Sequence, residues 1–390
     1  MTDRLYYRDA TLLEFGATVI EYAGDTQHVV LDRTAFYPTS GGQPHDIGVL
    51  GAARVIDVID EEQRIVHVVD GALPIGPVRG AVDAARRRDH MQQHTAQHLL
   101  SALAGDRYKW ETASVHFGTE HSAIEFATAT GSEKQLADLQ RWTNDIIGEA
   151  RAVNVAFEDA DVAELAGLRK PSRRSGEIRV ITIAGIDRSA CGGTHVASTS
   201  EIGPVLLLDV EKIRGHLRMG FLAGARVLTH ASTGDATLAA LARSLGCAVN
   251  QLEEIVGGRQ QESKSLRDQL SKLEQEVAAS RVRSLFDATK RGTDGMRRIR
   301  HHATDESATL LRLMAQAITP LERTIFVAIG AAPAAVYFAT SSDSGIDAGA
   351  ALKPALSAVG GRGGGSARAA QGTAPTESAL EAVAATVLSN

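Results

Sequence analysis

Two short spacings constrain this chain more than any other feature: His94-x3-His98, and Cys191-x3-His195 within the run CGGTH. Residues four apart on a helix share a face, so imidazoles at 94 and 98 can aim at one point. Three imidazoles and one thiolate form a ligand set suited to Zn²⁺, and Gly192 and Gly193 let the backbone fold tightly around such a centre. A fold that satisfies both pairs must bring a helix to a distant loop, across everything between positions 98 and 191. His90 extends the same helical face, so His90, His94 and His98 form a ladder in which either adjacent pair can chelate. Spacing alone does not choose between them.

Around these pairs the hydrophobic period changes several times, and the chain reads as α+β. Residues 1–85 read as a small β-barrel, with strands over Leu12–Tyr22, Thr26–Leu31, Ala53–Ile59 and Arg64–Val69. The run FYPTSGGQPHDIG, residues 36–48, is too rich in Gly and Pro for a regular element and reads as a loop. The stretch from Arg86 carries Met91, Leu99, Leu100 and Leu103 and reads as a helix stopped by Gly105. Residues 86–230 alternate helix and strand, including a buried strand over Arg179–Ile183. Residues 231–318 are read as a helical linker. Leu266, Leu270, Leu273 and Val277 form a short heptad seam there, as in a coiled coil, although a plain amphipathic core helix fits equally. Residues 319–390 return to α/β, with a helix capped by Asp347 and a terminal GGRGGG that suits a packing turn or an anion-binding nest and reads alone as the former.

Composition narrows the function classes. There are 41 Lys and Arg against 47 Asp and Glu, a net charge of −6, which excludes a surface coated for nucleic acid but leaves room for local basic patches. Two cysteines, Cys191 and Cys247, cannot make a disulfide framework. The charged N-terminus lacks a signal-peptide core and no apolar run reaches membrane-spanning length, so a cytoplasmic protein is expected. G-x-S-x-G, H-E-x-x-H and the P-loop pattern are all absent from the sequence.

HTAQHLLSAL together with CGGTHV resembles the editing domain of alanyl-tRNA synthetases and their free-standing relatives, the AlaX proteins. FYPTSGGQPHDIG is similar to that family's glycine-rich loop, and STSEIGPVLLLDVEKI follows its pattern. RMGFLAGARVL, from Arg218, is similar to the arginine-bearing end of the editing domain. GGRGGGSARAAQG resembles the glycine-rich turn of the DHHA1-type domain that closes alanyl-tRNA synthetases. The resemblance covers nearly the whole chain apart from the helical middle. It implies a β-barrel, a zinc-containing α+β editing domain, a helical linker and a C-terminal α/β DHHA1-like domain. The chain begins at the barrel, so no amino-acid activation is expected of it, and the Asp-His-His motif of DHHA1-bearing phosphoesterases is missing.

The resemblance implies hydrolysis in trans of tRNA(Ala) mischarged with serine or glycine. It selects His94 and His98, with Cys191 and His195, as ligands of Zn²⁺ and makes His90 a neighbour. The metal then either lowers the pKa of a bound water or orients the terminal ribose. Thr39 is the expected partner of the serine hydroxyl, with Gln43 as a second contact. Arg86, Arg87 and Arg88 before the metal helix, Arg218, and Arg362 and Arg368 near the C-terminus are the expected tRNA contacts. Lys170, Arg173 and Arg174 form a further basic loop. The C-terminal region is expected to support tRNA binding or a homodimer. Two other readings fit the residues: a zinc-stabilised tRNA-binding module without catalysis, and a metal-dependent esterase or phosphoesterase on small substrates.

Overall fold

A computed structural model describes residues 1–171, 175–304, 306–331 and 334–389. They divide into two compact units, Met1–Ala240 and Leu241–Asn390. In the first unit, six strands pair in the closed order β1-β2-β5-β4-β3-β6: β1 (Glu14–Tyr22), β2 (His28–Leu31), β3 (Gly48–Leu50), β4 (Ala53–Glu61), β5 (Arg64–Val69) and β6 (Gly76–Val82). Inward residues alternate along the strands, and Phe15, Val19, Leu31, Leu50, Val55 and Val58 fill the interior. Strands β3 and β6 were not legible as strands. One has three residues, and the other contains Pro77 and Gly80, where a Cβ would lie 2.5 Å from the Phe15 ring.

Helix α1 (Ala84–Tyr108) follows directly, capped by the Asp83 side chain, which accepts from Arg86 N–H. It ends at Lys109, whose left-handed conformation lets its N–H reach the Ala104 and Gly105 carbonyls. From His90 to Ala104 every residue is buried, so α1 is enclosed on all sides rather than amphipathic. A four-stranded sheet, β7 (Thr112–Phe117), β8 (Ser122–Phe126), β12 (Val205–Ile213) and β13 (His216–Ala223) in the order β12-β13-β8-β7, packs its apolar face on it. Helix α2 (Glu133–Gly148), begun by a Ser132–Gln135 capping box, packs on the same core.

A second, three-stranded sheet has the order β9 (Val153–Asp159), β10 (Glu177–Ile183), β11 (Asp187–Ala190), with helix α3 (Ala160–Leu165) on its other face. Helix α4 (Ala225–Leu245) leads out of the unit.

The second unit contains helix α5 (Leu252–Ala288) and a five-stranded sheet in the order β14-β15-β16-β18-β17. Its strands are β14 (Arg297–His302), β15 (Thr324–Ala331), β16 (Ala334–Thr340), β17 (Arg362–Gly365) and β18 (Ala369–Thr373). Helices α6 (Ala308–Ala317), α7 (Ala348–Ala358) and α8 (Glu377–Ser389) cover the sheet. Asp347 caps α7, as the sequence suggests. GGRGGG begins in a turn, at Gly360 with φ of 73°, and continues as the strand Arg362–Gly365, where a Cβ at Gly363 would lie 2.4 Å from the Gln371 carbonyl oxygen. The heptad seam of α5 does not face a core. Leu266, Leu270 and Leu273 are each more than half exposed, and only Ala278, Val282 and Phe286 at its end are buried. Among the described residues, no helix is long and apolar enough to cross a membrane.

Candidate metal centre

Helix α1 places His94 and His98 one turn apart, and the loop after β11 brings Cys191 and His195 against them. The four ligand atoms lie within 4.8 Å of one another. His90, one turn earlier, is outside this group. Close approach depends on Gly193, where a Cβ would fall 2.1 Å from His94 Cε1. The loop is held by Arg179 on β10, whose Nη1 donates to the carbonyls of Cys191 (2.7 Å) and Gly193 (2.8 Å) while Nε donates to Tyr7 O (2.9 Å).

Each imidazole has its Nδ1 engaged, and the partners fix its tautomer. Gln43 Oε1 accepts from Thr194 N–H (3.1 Å), so His94 Nδ1, 2.8 Å away, must donate to the same oxygen. The Thr95 hydroxyl gives its one proton to Met91 O (2.8 Å), so it accepts from His195 Nδ1 at 3.2 Å. Asp187 Oδ2 accepts from His98 Nδ1 (2.9 Å), and Arg169 Nε (2.5 Å) and Ser189 fix that carboxylate. All three Nε2 atoms are thereby left as lone-pair donors, the usual support for metal-binding histidines.

Cys191 Sγ stands 3.5 Å from His94 Nε2 and 3.4 Å from His195 Nε2. Tetrahedral zinc, with bonds of about 2.3 Å to sulfur and 2.0–2.1 Å to nitrogen, separates such atoms by about 3.5 Å. The donor set fits this ion, and these two separations match its geometry.

Electrostatics favour the same state at Cys191 and His195 and oppose it at His98. Burial alone would raise the Cys191 thiol, but His94 and His195 push it well below its ordinary range. Burial, with His94 beside it, lowers His195 to about 3. Burial also disfavours charge on His98, yet the Asp187 carboxylate and the Cys191 sulfur together outweigh it and raise His98 to about 10. Cation binding exchanges that proton for the metal.

The cluster opens on a cleft of about 1590 Å³, lined by His94, His98 and Cys191 and also by Thr39, Tyr7 and Arg169. Thr39 is exposed in the cleft. Its Oγ1 accepts from His45 N–H (3.1 Å), so it also caps its own loop.

Gln43 is elsewhere than expected. It is buried, and its amide is taken up by His94, Thr194 N–H and, through Nε2, Thr194 Oγ1 (2.9 Å). Its amide faces His94, and it is not among the residues that line the cleft.

Arg87 is a correction. It is about 1% exposed, paired with Asp46 at 2.5 Å, and it donates to the Ala10 and Ala35 carbonyls, so it ties the glycine-rich loop to α1 and cannot touch tRNA. Arg88 is exposed, and Arg86 is half-buried with Nε on His45 O. Arg218 is half-buried on β13, in register with Glu125 and Glu211. In the second unit Arg362 is exposed, while Arg368 donates to Ser341 O. Arg173 and Arg174 lie outside the described residues.

Asp187, Thr95, Arg169 and Arg179 were not legible as site residues. Thr95 lies inside HTAQH and Asp187 four residues before Cys191, but nothing in their spacing marks a hydrogen-bond partner.

Residues 178–218 match the threonyl and alanyl tRNA synthetase second additional domain, residues 10–84 the class II (A) tRNA synthetases, and residues 305–389 the DHHA1 domain. The chain is 31% identical over 308 residues to the alanyl-tRNA editing protein Aarsd1 of Mus musculus, covering 78% of this chain and 74% of that protein. It is 30% identical to Aarsd1-A of Xenopus laevis, covering 82% and 78%. With an alanine–tRNA ligase of Korarchaeum cryptofilum the identity is 29% over 96% of this chain but 44% of the ligase.

Proposed function

The chain belongs to the alanyl-tRNA editing protein family, and on that premise we propose that it deacylates tRNA(Ala) mischarged with serine, and with glycine, in trans. The observation that carries this reading is the cluster of three imidazoles and a thiol, of which His94, His98 and Cys191 line a cleft of about 1590 Å³. Four protein ligands complete a tetrahedron, so catalysis at the metal would require a fifth position or the release of one ligand, and the adjoining cleft gives a substrate access to it.

His94, His98, Cys191 and His195 would hold Zn²⁺, which supplies a Lewis acid beside the ester when bound. The chain's own residues do the rest. Gln43, Thr95 and Asp187 hold the imidazoles in one tautomer, and Arg179 fixes the loop that carries Cys191. Tyr7 and Tyr37 wall the cleft. Thr39 offers a hydroxyl to the serine side chain. Alanine is smaller than serine and cannot be excluded sterically, whereas a site that pairs the hydroxyl rejects the analogue that lacks it. Arg86 and Arg88 near the start of α1, and Arg218, are proposed to meet tRNA phosphates. The C-terminal unit, through Arg362, Arg368 and the exposed seam of α5, is proposed to support tRNA binding or pairing of two chains.

Purified zinc-loaded protein should deacylate seryl-tRNA(Ala) and glycyl-tRNA(Ala) while sparing alanyl-tRNA(Ala) and seryl-tRNA(Ser). Turnover of small esters with none of the tRNA substrates would replace this reading by the esterase one, and tRNA binding without deacylation by the RNA-binding one.

A further inference from the structure

Of the nine phenylalanines, eight are less than a tenth exposed; Phe157 alone stands 42% exposed. It lies in the wall of the cleft onto which the metal cluster opens. Its position there is fixed by strand register. Phe157 on β9 is directly opposite Arg179 on β10, and opposed residues of an antiparallel pair project from the same face about 5 Å apart. Arg179 in turn grips the Cys191 and Gly193 carbonyls. The aromatic ring is therefore one side chain removed from the ligand loop. Further along the same face, Ile181 and Ile183 are buried in the core beneath α1. The face thus runs from core to cleft, and Phe157 is where it emerges. Lys170 and Arg8 line the same space. An exposed ring beside a catalytic centre, with cations nearby, has the chemistry of a single-stranded nucleic-acid site, where bases stack on aromatic faces and phosphates meet Lys and Arg.

We propose that Phe157 is the stacking platform for the terminal nucleobase of the aminoacyl-tRNA, so that the ester on the adjoining ribose falls at the metal cluster. This rests on the deacylase reading given above and adds a residue that positions the substrate by its base rather than by its amino acid.

The test uses the full-length zinc-loaded protein with Phe157→Ala, Phe157→Leu and Phe157→Tyr. Two probes are titrated calorimetrically: the 3′-serylamido analogue of adenosine, and the same compound with the adenine removed. Stacking on one base is worth about 1–3 kcal/mol by alanine substitution, which is roughly 5- to 150-fold at tenfold per 1.4 kcal/mol. Phe157→Ala should weaken the adenosine probe by that factor and raise KM for seryl-tRNA(Ala) similarly, with kcat within about twofold. Phe157→Leu, apolar but without a π face, should resemble alanine, and Phe157→Tyr should restore binding. The probe without adenine should bind all four proteins alike.

Equal affinity of wild type and Phe157→Ala for the adenosine probe would overturn the platform while leaving the deacylase reading intact. A loss in kcat alone, or equal weakening of both probes, would overturn it as well. If the wild type binds the adenosine probe through Phe157 yet hydrolyses no mischarged tRNA, the platform stands and the deacylase reading falls. Zinc content and melting temperature should match wild type in all variants, because the side chain is outside the core.

Discussion

Replacing Gln43 by Met separates two roles that sequence and geometry assign differently. Methionine keeps the length of the side chain and removes its polar atoms. In the folded protein this leaves His94 Nδ1–H and Thr194 N–H without their shared acceptor. Both groups are buried. Leaving such a donor unsatisfied costs about 1–3 kcal/mol, so the apo protein should lose about 2–6 kcal/mol of stability. Zinc affinity should fall as well, because His94 loses the bond that fixes its tautomer and ring orientation. Removing a partner of this kind typically weakens a metal site by about 10- to 100-fold. Competition against a chromophoric zinc chelator reads the affinity, and denaturant titration in EDTA reads the apo stability. Deacylation of seryl- and glycyl-tRNA(Ala) at saturating zinc completes the set. Both substrates should be affected to a similar degree, since neither touches the amide. Gln43→Glu keeps an acceptor oxygen for both donors and should recover zinc affinity to within a few-fold of wild type. Unchanged zinc affinity, with a loss confined to seryl-tRNA(Ala), would refute the argument and return Gln43 to the serine hydroxyl.

Cys191→Ala should lower zinc stoichiometry and abolish deacylation, while His90→Ala should keep its zinc, as elemental analysis of purified protein will show. Thr39→Val should reduce kcat/KM for seryl-tRNA(Ala) by roughly 2- to 12-fold, corresponding to a lost bond of about 0.5–1.5 kcal/mol. Glycyl-tRNA(Ala) should lose much less, and equal losses would assign Thr39 to the loop it caps. His67, fully buried in the barrel between Thr34 and the Val29 carbonyl, is lowered by burial to about 4. Its folded pKa is depressed, so the unfolded chain binds the extra proton. Stability from this group is therefore complete above pH about 6.5 and is lost as pH falls toward 4, by about 2 kcal/mol at pH 5. Denaturant titrations at pH 7 and pH 5 should show that difference shrink in His67→Gln; an identical pH dependence would show that His67 is not the group responsible.

The candidate metal site was legible because its residues are spaced by the geometry of one helix turn and one tight loop. The residues that orient those ligands were not. Gln43, Thr95 and Asp187 reach their histidines through the tertiary fold, and no periodicity relates position 43 to 94 or 187 to 98. The same blindness misplaced Arg87. Three arginines at the start of a helix read as a solvated basic face, yet this first turn packs one side on the glycine-rich loop, so Arg87 points inward and finds Asp46 while Arg88 stays exposed. Strands with strong Val and Ile alternation were readable, as at Arg64–Val69, whose bounds agree. Strands carrying Gly and Pro were not, as at Gly76–Val82 and Arg362–Gly365, because their pairing is set by neighbours rather than by propensity. The α5 seam shows the opposite limit: a heptad pattern states that a face is apolar but not what covers it.

Strand β9 lies at the rim of its sheet, with a neighbour on one side only in the strand order. It also presents Val155 and Phe157 to solvent. An apolar strand with a free edge is a template for self-association, the hazard that natural sheets blunt with charge. The chain places Asp159 at the end of β9, followed closely by Asp161 and Glu164, while Glu158 is paired with Arg188. When two copies approach edge to edge, these carboxylates repel each other, while a flat ring approaching the face from the cleft does not meet that barrier. The acidic run therefore acts as a gatekeeper against aggregation, one that lets the chain keep an exposed aromatic without recruiting a second strand.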